Sequence, residues 1–222
     1  MYKMKTCILL ILILSNTCYA VAIPGSRVVY IEGSKFFQGD LVNNSESNTL
    51  VQLSILNDSF EKETLPIITP NIILSKADSR SGFRIYNLES VMDSNEVETY
   101  RTLSAVSIKE QSDTPSDVVA SMDMHYKLFI RPKSIATVTM EDAVKKLVIS
   151  KQGDDFNVKN ESPLHITLIS IEQGKEKTMV VEMIAPYQEI TFTKSSNFNP
   201  KRSFELNYIN DIGLLAKDKR SL

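Results

Sequence analysis

The side chains able to do chemistry are few. Only two histidines occur, His125 and His165, and neither lies in an HExxH or His-rich spacing that would aim two imidazoles at one metal ion. Each reads as a surface or hydrogen-bonded residue. Both cysteines, Cys7 and Cys18, fall within the first twenty residues. The rest of the chain therefore offers no thiol nucleophile, disulfide scaffold or cysteine metal site. Asp154 and Asp155 could in principle act as general acids, but Gly153 beside them marks a solvated turn. No GxSxG, GxGxxG or P-loop pattern is present, and 7 glycines leave little from which to build a phosphate loop. These residues predict a protein that is not an enzyme and carries no cofactor or metal.

The start of the chain has the layout of a secretory signal peptide. Lys3 and Lys5 give a positive start, residues 7–14 are apolar after their leading thiol, and the segment ends Cys18-Tyr19-Ala20. Cleavage is expected after Ala20, with Ala22 as a second site. The apolar stretch is far short of the roughly 20 residues that span a bilayer, and no later stretch approaches that length. No stable membrane insertion is expected after cleavage. Losing the two lysines moves the formal charge from −2 to −4, a mild balance without the basic excess of a nucleic-acid binder. About 200 residues remain, which suits two β-sandwich domains of about 100 each.

The elements that must position any site read as β throughout. Residues 27–31, 49–56, 83–88, 102–108 and 118–130 are β-branched, aromatic or alternating runs. After Pro132 come 146–150, 156–159, 165–171, 178–183, 189–193 and 203–209. Asn, Asp, Ser, Gly and Pro separate them at sandwich spacing. Residues 139–146 (TMEDAVKK) are the one helical turn, with Thr139 as a candidate cap. A strand ends at Arg131-Pro132-Lys133, where proline cannot continue a ladder. The expected layout is a signal peptide at 1–20, a domain at 21–132, a linker at 133–142 and a second domain at 143–222.

Residues 118–127 are the informative strand. Val118, Ala120, Met122 and Met124 sit two apart, and Ser121, Asp123 and His125 alternate with them, with Val119 breaking the polar side. One face then carries four apolar side chains in a row. Pattern alone favours an ordinary core strand. A strand built to bind another surface is the alternative, supported by two methionines, which adapt to varied partners.

Residues 126–132 (YKLFIRP) resemble the KLFYRP signature of periplasmic pilus-assembly chaperones. Further resemblances follow in order: SRVVY from Ser26, LVQ from Leu50, ITP from Ile68, FRI from Phe83, PLHITL from Pro163, MIAP from Met183 and YINDIG from Tyr208. The resemblance implies an all-β protein of two immunoglobulin-like β-sandwich domains, set at an angle to form a boomerang-shaped cleft. Its implied work, in the periplasm, is to bind and stabilise fimbrial or pilus subunits by donor-strand complementation and deliver them to an outer-membrane usher. Arg27 and Lys127 match the cations that anchor the subunit's C-terminal carboxylate. Val118, Ala120, Met122 and Met124 match the lent strand. Glu98, Arg131 and Asp211 match an ion network joining the domains. The short polar stretch before the strand and the lack of an extra cysteine pair fit the short-loop (FGS) subclass.

The sequence departs from the family pattern between Asn71 and Ser104, where the second proline of a TPP turn is Asn71 and no Trp occurs. Asn43-Asn44-Ser45, Asn57-Asp58-Ser59 and Asn160-Glu161-Ser162 are formal glycosylation sequons that carry no meaning in a bacterial periplasm. A two-domain fibre subunit or adhesin is the alternative function. Such a subunit needs an N-terminal extension of alternating apolar residues, and residues 21–26 (VAIPGS) are too short for one.

Overall fold

A computed structural model describes residues 21–109, 121–153, 155–193 and 198–221. The signal-peptide residues, Val118, Ala120 and Asp154 lie outside the described residues. The first domain contains β1 (Val21–Ala22), β2 (Arg27–Ile31), β3 (Phe37–Asn43), β4 (Thr49–Leu56), β5 (Ile67–Thr69), β6 (Ile72–Ser75), β7 (Ser79–Tyr86), β8 (Thr99–Lys109) and β9 (Ser121–Arg131). Its two sheets run β1-β3-β7-β5 and β2-β9-β8-β4-β6. The second domain contains α1 (Met140–Lys145), β10 (Leu147–Gln152), β11 (Asp155–Asn160), β12 (Ile166–Gln173), β13 (Glu176–Ile184), β14 (Glu189–Thr193), β15 (Phe204–Ile209) and β16 (Leu215–Arg220). Its sheets run β10-β11-β14 and β13-β12-β15-β16.

Each sandwich has its own core, built where alternating strands bury their apolar face. In β4, Val51, Leu53 and Ile55 are buried while Leu50 and Gln52 face out. The first core gathers Val28, Leu41, Phe83, Leu103, Leu128 and Ile130, and the second gathers Val144, Phe156, Leu164, Ile166, Leu168 and Leu206. Ile135 and Met140, from the expected linker, are buried in the second core. Thr139 caps α1, with its hydroxyl accepting from the Asp142 N–H at 3.1 Å.

Among the described residues, the strands β1, β3, β5, β6 and β16 are not marked by the sequence. In β3, Gly39 and Asp40 interrupt the apolar pattern. Gly39 is there for space: a Cβ would stand 2.4 Å from the Phe83 ring. β5 and β6 are short pieces flanking Pro70-Asn71. β16 (LAKDKR) is a charged edge strand, which discourages pairing with another chain.

Two of the three sequon triplets are buried and structural. Asn43 and Asn160 are both fully buried. Asn43 Nδ2 donates to the carbonyls of Ser47, Ser75 and Lys76, and its Oδ1 accepts from the Ser45 N–H and hydroxyl. Asn160 Nδ2 donates to the carbonyls of Leu164, Ile184 and Ala185, and its Oδ1 accepts from the Ser162 N–H and hydroxyl. The same three-residue device staples a strand end in each domain, satisfying carbonyls that would otherwise be buried without a donor.

Candidate functional site

Two cations meet where the domains join. β2 pairs in parallel with β9, and the register sets Arg27 opposite Lys127. Arg27 is 7% exposed. Its Nη2 donates to Thr167 Oγ1 of β12 at 3.1 Å, and Lys127 Nζ donates to the same oxygen at 3.4 Å. The Arg27 guanidinium also lies 5.1 Å from the centre of the Phe129 ring. Its Nε and Nη1 are buried without an acceptor.

Both cations are held at a disadvantage. Burial lowers the Arg27 pKa, and Arg131 lowers it further, against the raising fields of Asp211 and Glu98. Burial also lowers the Lys127 pKa, the neighbouring Arg27 charge adds to that, and Glu182 opposes it. Buried donors without acceptors and two adjacent like charges are the features that would favour an anion. A carboxylate offers two oxygens to such a pair.

An ion network lies beside the pair. Arg131 donates from Nε and Nη2 to Glu98 Oε1 at 3.1 and 2.9 Å, and from Nη1 and Nη2 to Asp211 at 3.1 and 2.9 Å. The other Glu98 oxygen accepts from the His165 backbone N–H at 2.9 Å, with His165 Nδ1 at 3.3 Å. The Glu98 N–H in turn donates to the Pro163 carbonyl at 2.9 Å. Tyr100 and Phe129 of the first domain pack against the His165 ring, with centroids 6.0 and 5.6 Å away. Burial opposes the Arg131 charge, but the hydrogen bonds and charges of Asp211 and Glu98 outweigh it and hold its pKa above the ordinary value. The structure thus brings Glu98, Arg131 and Asp211 together across the domain junction. Desolvation offsets much of their attraction.

β9 carries the rest. It pairs with β8 from Ser121 to Ile130, but with β2 only from Lys127 onward. Among the described residues, the second edge of β9 at 121–126 has no ladder partner. Met122 is 51% exposed and Met124 packs partly against the first core. On the opposite face, Asp123 accepts from the Ser104 hydroxyl at 2.7 Å and lies 3.0 Å from His125 Nε2, over which Phe60 stacks. The two histidines lie on separate elements with separate partners, and among the described residues no group of His, Cys, Asp and Glu could hold a metal ion.

Sequence reasoning did not single out Thr167, Phe129 or Tyr100, and took His165 as an unremarkable residue. The one available signal was that His165 and Thr167 alternate on a strand and so share a face.

Two tandem immunoglobulin-like sandwiches place the chain in a class of two-domain β proteins. Two family models cover nearly all of it: "Pili and flagellar-assembly chaperone, PapD N-terminal domain" matches residues 20–136 and "Pili assembly chaperone PapD, C-terminal domain" matches residues 142–219. The chain belongs to the pili-assembly chaperone family. It is similar to the chaperone protein PapD of Escherichia coli, 26% identical over 90% of this chain and 86% of that one. It is also similar to the probable fimbrial chaperone SfmC of Escherichia coli strain K12, 28% identical over 96% and 95%. Its fold matches a chain from the complex of the Salmonella enterica SafA pilin with the SafB chaperone, at a TM-score of 0.80 and 21% identity, covering 92% of this chain and 97% of that one. The Escherichia coli chaperone DraB matches at a TM-score of 0.78 and 19% identity, covering 92% and 99%. Among the described residues no helix is long and apolar enough to cross a membrane.

Proposed function

We propose that this protein is a periplasmic chaperone that captures fibre subunits by lending them β9 and passes them to an outer-membrane usher. One observation carries the reading: the unpaired edge of β9 runs directly into the Arg27–Lys127 pair. A subunit strand added to that edge would gain a main-chain ladder. Its C-terminal carboxylate would then reach the two cations. Anchoring the terminus sets register, and register decides which subunit groove meets Met122 and Met124, since a one-residue slip turns every side chain over. In the sequence, Val118 and Ala120 continue the same two-residue alternation upstream. Binding draws on apolar burial and charge pairing, so no nucleotide or catalytic group is needed.

The finer assignment is the short-loop (FGS) subclass. It is supported by the short polar stretch from Lys109 to Asp117 that precedes the alternating run and by the confinement of both cysteines to the first twenty residues. The fibre-subunit alternative is disfavoured, because Val21 and Ala22 pair with β3 within their own domain rather than forming a free donor segment.

The test is co-purification from periplasm with a candidate subunit, comparing the native protein with Arg27→Ala and Lys127→Ala. Either change should abolish the complex while circular dichroism shows a folded chaperone. Normal retention of subunit by both variants would sink the anchor assignment.

A further inference from the structure

We propose that Thr167 is the third member of the carboxylate clamp, a direct donor supplied by the second domain; this rests on the anchor reading above. Its single hydroxyl oxygen accepts from both Arg27 Nη2 and Lys127 Nζ. That draws two like charges onto one point, although they sit on adjacent strands and repel. With both lone pairs engaged, the hydroxyl proton has no acceptor among the described residues and is free to donate to an arriving anion. Arg27 Nε and Nη1 are similarly without acceptors. A carboxylate at this point would meet donors from both domains at once.

The position of Thr167 is rigid and depends on domain docking. β12 is an inner strand, and Thr167 is paired with Met183 on one side and Ile209 on the other. Two residues before it, His165 is tied through its N–H to Glu98 of the first domain. The contact that docks the domains therefore also sets where Thr167 stands. The clamp is complete only in the docked protein.

The probe is sodium acetate, titrated at constant ionic strength into full-length 15N-labelled protein while the Arg27 Nε and Lys127 Nζ signals are followed by NMR. The native protein and Thr167→Ser should show saturable shifts of similar midpoint. Thr167→Val should bind about tenfold more weakly, the scale of one lost charge-assisted hydrogen bond. Thr167→Ala should do the same if the valine variant folds poorly. Glu98→Gln should also weaken acetate binding, although Glu98 does not touch the anion. Equal midpoints for the native protein and Thr167→Val would overturn the role of Thr167 while leaving the anchor intact. No saturable response in the native protein would overturn the anchor itself, and Thr167 with it.

Discussion

Arg27 and Lys127 face each other across two parallel strands, the same register that lines up Val29 with Phe129 and Ile31 with Arg131. Two positive charges set side by side and partly buried are unfavourable for the free protein. They are expected to trade stability for binding.

The Lys127 pKa is lowered by burial and by Arg27. The folded protein therefore binds that proton less tightly than the unfolded chain does. The stabilising difference is fully present above the ordinary lysine pKa, and it is lost as pH falls through the depressed folded value. At neutral pH the charged lysine opposes folding. Lys127→Met should raise the thermal midpoint at pH 7 and flatten the rise in stability toward alkaline pH, while abolishing subunit capture. A midpoint lowered at pH 7, measured by calorimetry, would contradict this account.

Met122 and Met124 point to the same face but differ in surroundings. Met122→Asp should leave unfolding free energy within about 0.5 kcal/mol of native, as for an exposed site, and should weaken subunit capture. Met124→Asp should weaken capture and also lower stability, because Met124 packs against the first core. Urea titration beside pull-down separates the two effects.

Glu98 and Asp211 share Arg131 unequally. The Glu98 side chain is 1% exposed, and that of Asp211 is 34% exposed. Glu98→Ala should cost about 3–5 kcal/mol, the range for breaking a buried pair and stranding its partner. Asp211→Ala should cost clearly less, because water can replace part of what is lost. Chemical denaturation of the two variants gives the comparison, and equal losses would count against it.

Gly39→Ala would place a methyl against the Phe83 ring. Overpacking of this kind costs about 1–3 kcal/mol. Adding Phe83→Leu to the alanine variant should recover part of the loss, because the smaller side chain gives up the contested space. A Gly39→Ala protein as stable as the native one would show that the ring moves freely.

Much of this protein is legible in one dimension. Alternation in residues 49–56 marks β4, because a strand with one buried face must write that face into every second residue. Thr139 before MEDAVKK marks the helix cap, because the hydroxyl must reach an N–H three residues on. The motifs around Arg27, Lys127 and Asp211 carry the family resemblance. What the sequence could not determine depends on partners distant along the chain. The alternation of Met122 and Met124 suits a core strand as well as an open edge, and only the short reach of β2, which pairs from Lys127 onward, leaves 121–126 uncovered. Glu98 lies in a divergent stretch, and its role follows from Arg131, His165 and Asp211 arriving from other elements. Asn43 and Asn160 look like surface sequons until burial turns them into staples. Thr167 is an ordinary strand threonine until the docking of two domains places its hydroxyl between two cations. Local chemistry writes strand faces and caps into neighbouring residues, whereas edges, buried charges and shared oxygens exist only once the chain has closed on itself.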